Sequence, residues 1–380
     1  MKKIISIEAS VIEQSAKTGV GYFTVGLAKG LSALPNKGII INYFWLNFLR
    51  KKKAQSKIVQ IAEKEGRLQQ IVYIPQRLFA KLVFYQLALP LFTKQASWEL
   101  YPNFYIWPTT SRAKKAVVIH DLCYKSLPEF VEDKNRMFLS HVADRSMQKA
   151  DLIISISAFT TSEILKYTNV PKEKIVTIGI PVDTEDLKPN LNKGAGRLSK
   201  RYGINKPYIL SLATLEPRKN LDTLVEAYCA LPKNLRDTYS LVLAGKWGWK
   251  IDATRERIEK RRSEGFDIIT TGYIDMDDKA TFLYNASLYA TTSHYEGFGM
   301  QILEAMHCGI PTLASNIPVH KEVGGDACAY TDLSISATTD QLKKLLSDPE
   351  LRKRLTQEGK KRSKNFRWDT YAQRIYDRMF

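Results

Sequence analysis

Two glutamates eight residues apart, Glu296 and Glu304, bracket a glycine-bearing turn in Ser293-His-Tyr-Glu-Gly-Phe-Gly-Met-Gln-Ile-Leu-Glu304. A carboxylate at each position can hold hydroxyl groups, while free backbone N–H groups between them hold an anion. Gly297 and Gly299 let the backbone come close to a ligand. The run before the turn, residues 288–292, is short and β-prone, as a buried strand is. After it, Met300, Ile302, Leu303 and Met306 give a helix that Gly309 and Pro311 stop. Strand, glycine turn and helix N-terminus together make an anion site. The spacing alone fits equally well a plain strand–helix crossover with solvated glutamates.

A second candidate is the basic pair Arg218-Lys219 in Thr214-Leu-Glu-Pro-Arg-Lys-Asn220, between a strand at 208–213 and a helix starting at Leu221. Arg offers a planar fork and Lys a point charge, which suits a pyrophosphate, although such pairs are commonly solvated surface. A strand over 116–119 ends in His120-Asp121. A histidine at the carboxyl end of a parallel strand sits where such sheets bind ligands, or is a satisfied structural residue. Lys17-Thr-Gly19-Val-Gly21 reads as a plain loop entering a helix or as a phosphate loop. Asp275-Met-Asp277-Asp278 has the look of a metal-binding D-x-D, but reads better as the acidic N-cap of a helix over 279–286, so no metal site is assigned.

These groups must be positioned by an α/β framework. Short apolar strands at 3–7, 40–44, 116–119, 152–155 and 175–178 alternate with helical stretches. The pattern restarts with strands at 208–213, 241–244, 268–271, 288–292 and 312–314. At 380 residues the chain holds two domains, with boundaries expected at 1–182 and 183–363 and a terminal amphipathic helix in 364–380. The polar stretch to about residue 206, broken by Pro189 and Gly194, is expected to be the linker.

Composition narrows the function classes. Apolar residues make up 44% and charged residues 25%, without a low-complexity tract, as in a soluble globular protein. Cys123, Cys229, Cys308 and Cys328 form no C-x-x-C pair and read as reduced thiols of a cytosolic protein. The opening residues read as a first strand, not a signal peptide, and no run is long and apolar enough to span a bilayer. The formal net charge is +18, and residues 1–182 carry 26 Lys and Arg against 13 Asp and Glu, while the remainder carries 31 against 26. That imbalance calls for an acidic partner of the first half. The basic run 48–57 and the aromatic, lysine-edged stretch 76–94 read as a core helix beside a solvated loop, or as a surface lying on an anionic membrane. No helix-turn-helix, RNP or zinc signature supports nucleic acid as the partner.

The wording of these motifs resembles the retaining glycosyltransferases of family 4. Glu296-x7-Glu304 within E-G-F-G-x-x-x-L-E-A-M-x-C-G-x-P is similar to their E-x7-E signature, and Thr214–Asn220 to their phosphate loop. Val117-Val-Ile-His-Asp-Leu, the loop at Gly19 and Gly21, and Asn316-x-Pro318 followed by Glu322-Val-Gly-Gly-Asp-Ala327 extend the resemblance over nearly the whole chain. Two departures stand out: Gln301 where many members have Pro, and Ala213-Thr214 where some carry an earlier Arg. The fold implied is GT-B, two Rossmann-like domains with parallel sheets facing across a cleft. Bacterial mannosyl- and rhamnosyltransferases of surface polysaccharide assembly are the nearest kind.

The resemblance implies roles for named residues. Arg218 and Lys219 would clamp the diphosphate, and Gly19 and Gly21 would face it. Gly297, Phe298, Gly299 and Met300 would hold sugar or phosphate oxygens through N–H groups. Glu304 would accept from the ribose hydroxyls, Glu296 from a sugar hydroxyl, and His120 would touch the donor sugar. Tyr273 and Ile274 would meet the nucleobase through backbone. No cofactor beyond the nucleotide sugar is implied, GDP-mannose being the first expectation and dTDP- or UDP-sugars the alternatives. A glycan on a polyprenyl diphosphate lipid is the acceptor expected, at the inner face of the cytoplasmic membrane. A sugar-nucleotide epimerase or an inactive scaffold of the same fold are the rival readings.

Overall fold

The computed structural model describes residues 3–12, 19–35, 38–47, 68–73, 76–87, 95–184, 187–188 and 195–380. They form two compact units, one of residues 1–180 with 367–380 and the other of residues 181–366. The basic run 48–57 and the end of the 76–94 stretch lie outside the described residues.

The first unit is a seven-stranded, all-parallel sheet. Its strands are Lys3–Glu8 (β1), Ile39–Asn47 (β2), Leu68–Tyr73 (β3), Trp98–Tyr101 (β4), Lys114–Ile119 (β5), Leu152–Ser155 (β6) and Ile175–Thr177 (β7). They lie in the order β3-β2-β1-β4-β5-β6-β7. Continuous apolar runs such as Leu152–Ser155 are buried throughout, because helices cover both faces of a parallel sheet. β4 was not foreseen: its Glu99 is fully buried and breaks the apolar signal. That carboxylate accepts hydrogen bonds from Tyr101 (2.8 Å) and Thr109 (3.2 Å), with Lys115 at 3.8 Å.

The terminal helix, Trp368–Met379, packs in this unit against Gly19–Ser32. Gly26 makes room for it, since a Cβ there would stand 2.3 Å from the Trp368 indole. Trp98 Nε1 donates to the carbonyl of Met379 at 2.8 Å, tying the end of the helix to the start of β4.

The second unit is a six-stranded parallel sheet in the order β10-β9-β8-β11-β12-β13. Its strands are Tyr208–Leu212 (β8), Ser240–Ala244 (β9), Ile268–Thr270 (β10), Leu288–Thr291 (β11), Thr312–Ser315 (β12) and Ala329–Thr331 (β13). The direction of winding reverses between β8 and β11, which opens a crevice at their carboxyl ends.

The expected linker holds a helix instead, Ala195–Tyr202, packed within this unit. Its sequence is polar because it is held by charge: Arg197 and Arg201 converge on the buried Asp278 carboxylate, and Tyr202 donates to it at 2.8 Å. Asp275 caps the helix Met276–Asn285 by accepting from the Asp278 N–H at 2.9 Å. The acidic run is therefore a cap and a buried anchor. All four cysteines are free.

Candidate functional site

The crevice of the second unit collects the charged residues singled out above. β8 ends in a short turn, Pro217–Lys219, and β11 leads into the glycine turn before the helix Met300–His307. The two loops are stitched together: His294 N donates to Arg218 O at 2.9 Å, and Thr292 Oγ1 to Asn220 O at 2.9 Å. Asn220, at φ 50°, occupies the left-handed region and lets the chain turn sharply into the helix Leu221–Cys229.

Glu296 is the hub. Its Oε2 takes Arg218 Nη1 at 2.6 Å, and its Oε1 takes Lys219 Nζ and the Ser293 hydroxyl at 2.8 Å. Arg218 also reaches the Tyr295 carbonyl (2.8 Å) and Glu216 Oε1 (2.5 Å). Glu216, Lys219 and Glu296 are all buried. Burial pushes the Glu296 carboxyl up, but Arg218 and Lys219 outweigh it and hold the group well below the usual carboxylate range. The sequence reading gave Glu296 only a sugar-facing role; both its oxygens are already engaged in orienting the cations.

Glu304 is arranged differently. One oxygen accepts from Lys279 Nζ at 2.5 Å; the other is buried and, among the described residues, has no hydrogen-bond partner. A buried carboxylate oxygen without a partner is costly unless a ligand satisfies it. Gly299 enters its helix at φ 90°, a conformation only glycine takes readily; no side chain caps the helix start, and the Ile302 N–H donates to the Gly299 carbonyl at 3.0 Å. Tyr273 is exposed and Ile274 buried, beyond Gly272, whose carbonyl accepts from Gly245 N at 3.0 Å.

In the first unit, His120 follows β5 directly and is buried. Its Nε2 donates to the Pro102 carbonyl at 2.7 Å, and Phe23 and Phe104 flank the ring. Burial lowers its pKa to about 4, so the ring is neutral with Nδ1 as an acceptor. Gly19 and Gly21 do not form a loop: both lie in the first turn of the helix Gly19–Ser32, with Gly21 buried against the unit.

Sequence reasoning missed Glu216, Lys279, Ser293, Ser315 and His320. Lys279 follows the acidic cap and pairs 25 residues on, a distance at which single-sequence spacing carries no signal.

A crevice at a winding reversal, two cations beside it, and an unsatisfied carboxylate on the following helix define a site for a phosphorylated, hydroxyl-rich ligand. Residues 197–362 match the family described as "Glycosyl transferases group 1" and form such a domain; the whole chain has the GT-B fold. It is 29% identical over 364 residues to O-antigen chain mannosyltransferase B of Escherichia coli, covering 93% of each. It is 31% identical over 278 residues to the serotype-specific mannosyltransferase WbdA of Escherichia coli, of which it spans 32%. Among solved structures, a sucrose-phosphate synthase from Thermosynechococcus elongatus superposes with a TM-score of 0.72 at 17% identity, covering 99% of this chain and 98% of that one. The chain thus carries a glycosyltransferase domain.

Proposed function

We propose that the protein is a retaining, metal-independent hexosyltransferase that moves mannose from GDP-mannose to a growing glycan on a polyprenyl diphosphate lipid. The reading places it in the cytoplasm, at the inner face of the membrane, in bacterial surface polysaccharide synthesis. What carries it is the convergence of Arg218 and Lys219 on Glu296 at the crevice, beside the open oxygen of Glu304. The names of the two mannosyltransferase relatives support mannose.

As the bond from the sugar C1 to the β-phosphate oxygen breaks, negative charge develops on the departing diphosphate. Arg218 and Lys219 are pre-oriented to stabilise it, and their positive charge takes the role a metal ion would otherwise have. The acceptor hydroxyl forms the new C1–O bond on the same face, and its proton passes to the departing phosphate oxygen. Configuration is thereby retained without a carboxylate nucleophile. Glu304 accepts from ribose hydroxyls, and Glu296 keeps the cations in place while its remaining lone pairs meet the sugar. His120, neutral, presents Nδ1 as an acceptor to the donor sugar.

A membrane-facing role falls to residues 48–57 and 76–94. On the described part of that stretch, Leu78, Lys81, Tyr85 and Leu87 are exposed, an apolar and basic surface suited to anionic lipid.

The test is a donor panel without acceptor, following release of GDP, UDP or dTDP from GDP-mannose, UDP-glucose and dTDP-rhamnose. Slow release of GDP alone is the expected result; release of UDP or dTDP instead would replace the donor. An epimerase would return an isomer of intact donor. No release, together with no rise in melting temperature from any free nucleotide, would leave an inactive scaffold.

A further inference from the structure

His320 belongs to none of the motifs above, yet it is almost fully buried, at 1% exposure, behind the glycine turn. It lies on the helix Pro318–Gly324 after β12. Its tautomer follows from proton counting. Ser315 has one hydroxyl proton, and that proton goes to the Ser293 carbonyl at 2.6 Å. Toward His320 Nδ1, 2.9 Å away, the Ser315 oxygen can therefore only accept. The Ser315 carbonyl, 3.2 Å from Nδ1, can also only accept. Nδ1 thus carries the proton, and Nε2 carries a lone pair.

Nε2 points at the turn. It stands 3.5 Å, and Cδ2 3.2 Å, from where a Cβ on Gly299 would be, and among the described residues it has no hydrogen-bond partner. The ring also lies in the field of Glu296, Arg218 and Lys219. Burial lowers its pKa to about 4, so the lone pair persists through the neutral range.

We infer that His320 is a specificity-determining residue whose Nε2 accepts a hydrogen bond from one hydroxyl of the transferred hexose. Ionised diphosphate oxygens offer no proton to a neutral acceptor, so a phosphate cannot be its partner. In the donor site proposed above, ribose falls to Glu304, whose unpartnered oxygen is buried. The hydroxyl recognised is the one that meets Nε2 beside Gly299, where only the missing side chain leaves the ring edge uncovered: a Cβ there would crowd Cδ2 at 3.2 Å. The Ser293–Ser315–His320 relay also ties the ring to the loop that carries Glu296, so both sugar-facing groups move together.

This inference rests on the donor site proposed above, and its test separates the two. With whichever donor the wild-type protein hydrolyses, kcat/KM is measured for that donor and for its monodeoxy analogues, alongside Kd for the free nucleotide. His320→Phe keeps the ring against Gly299 and removes the acceptor. It is expected to lose about 10-fold in kcat/KM on the full donor, nothing on one monodeoxy analogue, and nothing in nucleotide affinity. His320→Gln, which restores an acceptor, should recover part of the loss. Should the Phe variant not fold, His320→Leu, which likewise lacks an acceptor, carries the test through the same pattern, a loss confined to one hydroxyl. Unchanged activity, or an equal loss on every donor and on free nucleotide, would overturn the role of His320 while leaving the transferase intact. A wild-type protein that neither binds nor hydrolyses any donor would overturn the transferase reading, and this inference with it.

Discussion

At the scale of single residues, the site depends on charges held ready before a ligand arrives. Lys219→Ala leaves Glu296 bound by Arg218, so the fold should survive with a modestly lowered melting temperature. Donor hydrolysis should fall about 100- to 1,000-fold, the loss typical of one charge-stabilising donor. Full hydrolysis by that variant would remove the diphosphate clamp from the mechanism. Glu8, at the end of β1, shows the opposite balance: burial raises its pKa to about 7, against the hydrogen bond it accepts from Ser10. Between about 4.5 and 7 the folded protein holds a proton there that the unfolded chain releases. Its contribution to stability is therefore present at acid pH and lost as pH rises through 7. Glu8→Gln should accordingly raise stability at pH 8 by about 3 kcal/mol and leave it unchanged near pH 4, read by thermal unfolding at the two pH values. Arg218, Lys219, Glu296 and Glu304 were singled out by the likeness of their motifs to a family signature, since their spacing alone fitted solvated surface as well. Lys279 was not, because its partner lies 25 residues on, and His320, held by Ser315 only five residues before it, belongs to no motif that would single it out.

At the scale of elements, legibility followed apolar burial. Leu152–Ser155 was read to the residue because all four positions are buried. β4 was missed over Glu99, and β13, three residues at the sheet edge, is too short to signal itself. The helix Ala195–Tyr202 escaped because ion pairs to Asp278 anchor it, with little apolar surface beyond the buried Leu198 and the Tyr202 ring on Phe282. Glycines carry a comparable message at Gly26, where the terminal helix lies closest. Gly26→Ala should destabilise the first unit by about 1–3 kcal/mol through overpacking against Trp368. In a Trp368→Ala background the same change should cost less, and a double-mutant cycle of thermal unfolding with strictly additive effects would contradict that contact.

At the scale of the whole molecule, the doubled α/β pattern made two parallel-sheet domains readable, because each half repeats the strand–helix alternation with its own sheet, while GT-B in particular came from the family resemblance of the motifs. The uneven charge is the other global signal. The protein should sediment with phosphatidylglycerol vesicles at roughly 50 mM salt and release at several hundred millimolar, as screening shortens the reach of surface charge. Replacing Lys51, Lys52 and Lys53 with Ser should weaken that sedimentation. Equal binding to neutral phosphatidylcholine vesicles would remove electrostatic docking from the picture.

The terminal helix has a consequence for biosynthesis. Residues 181–366 are contiguous, so that unit can close on itself as soon as its own segment leaves the ribosome. The other unit is assembled from two separated segments, residues 1–180 and 367–380, and the groove over Gly26 and the indole N–H of Trp98 wait for residues 368–379. The segment translated first is thus the later of the two to be finished, and for that interval a nascent-chain chaperone would find its apolar groove uncovered.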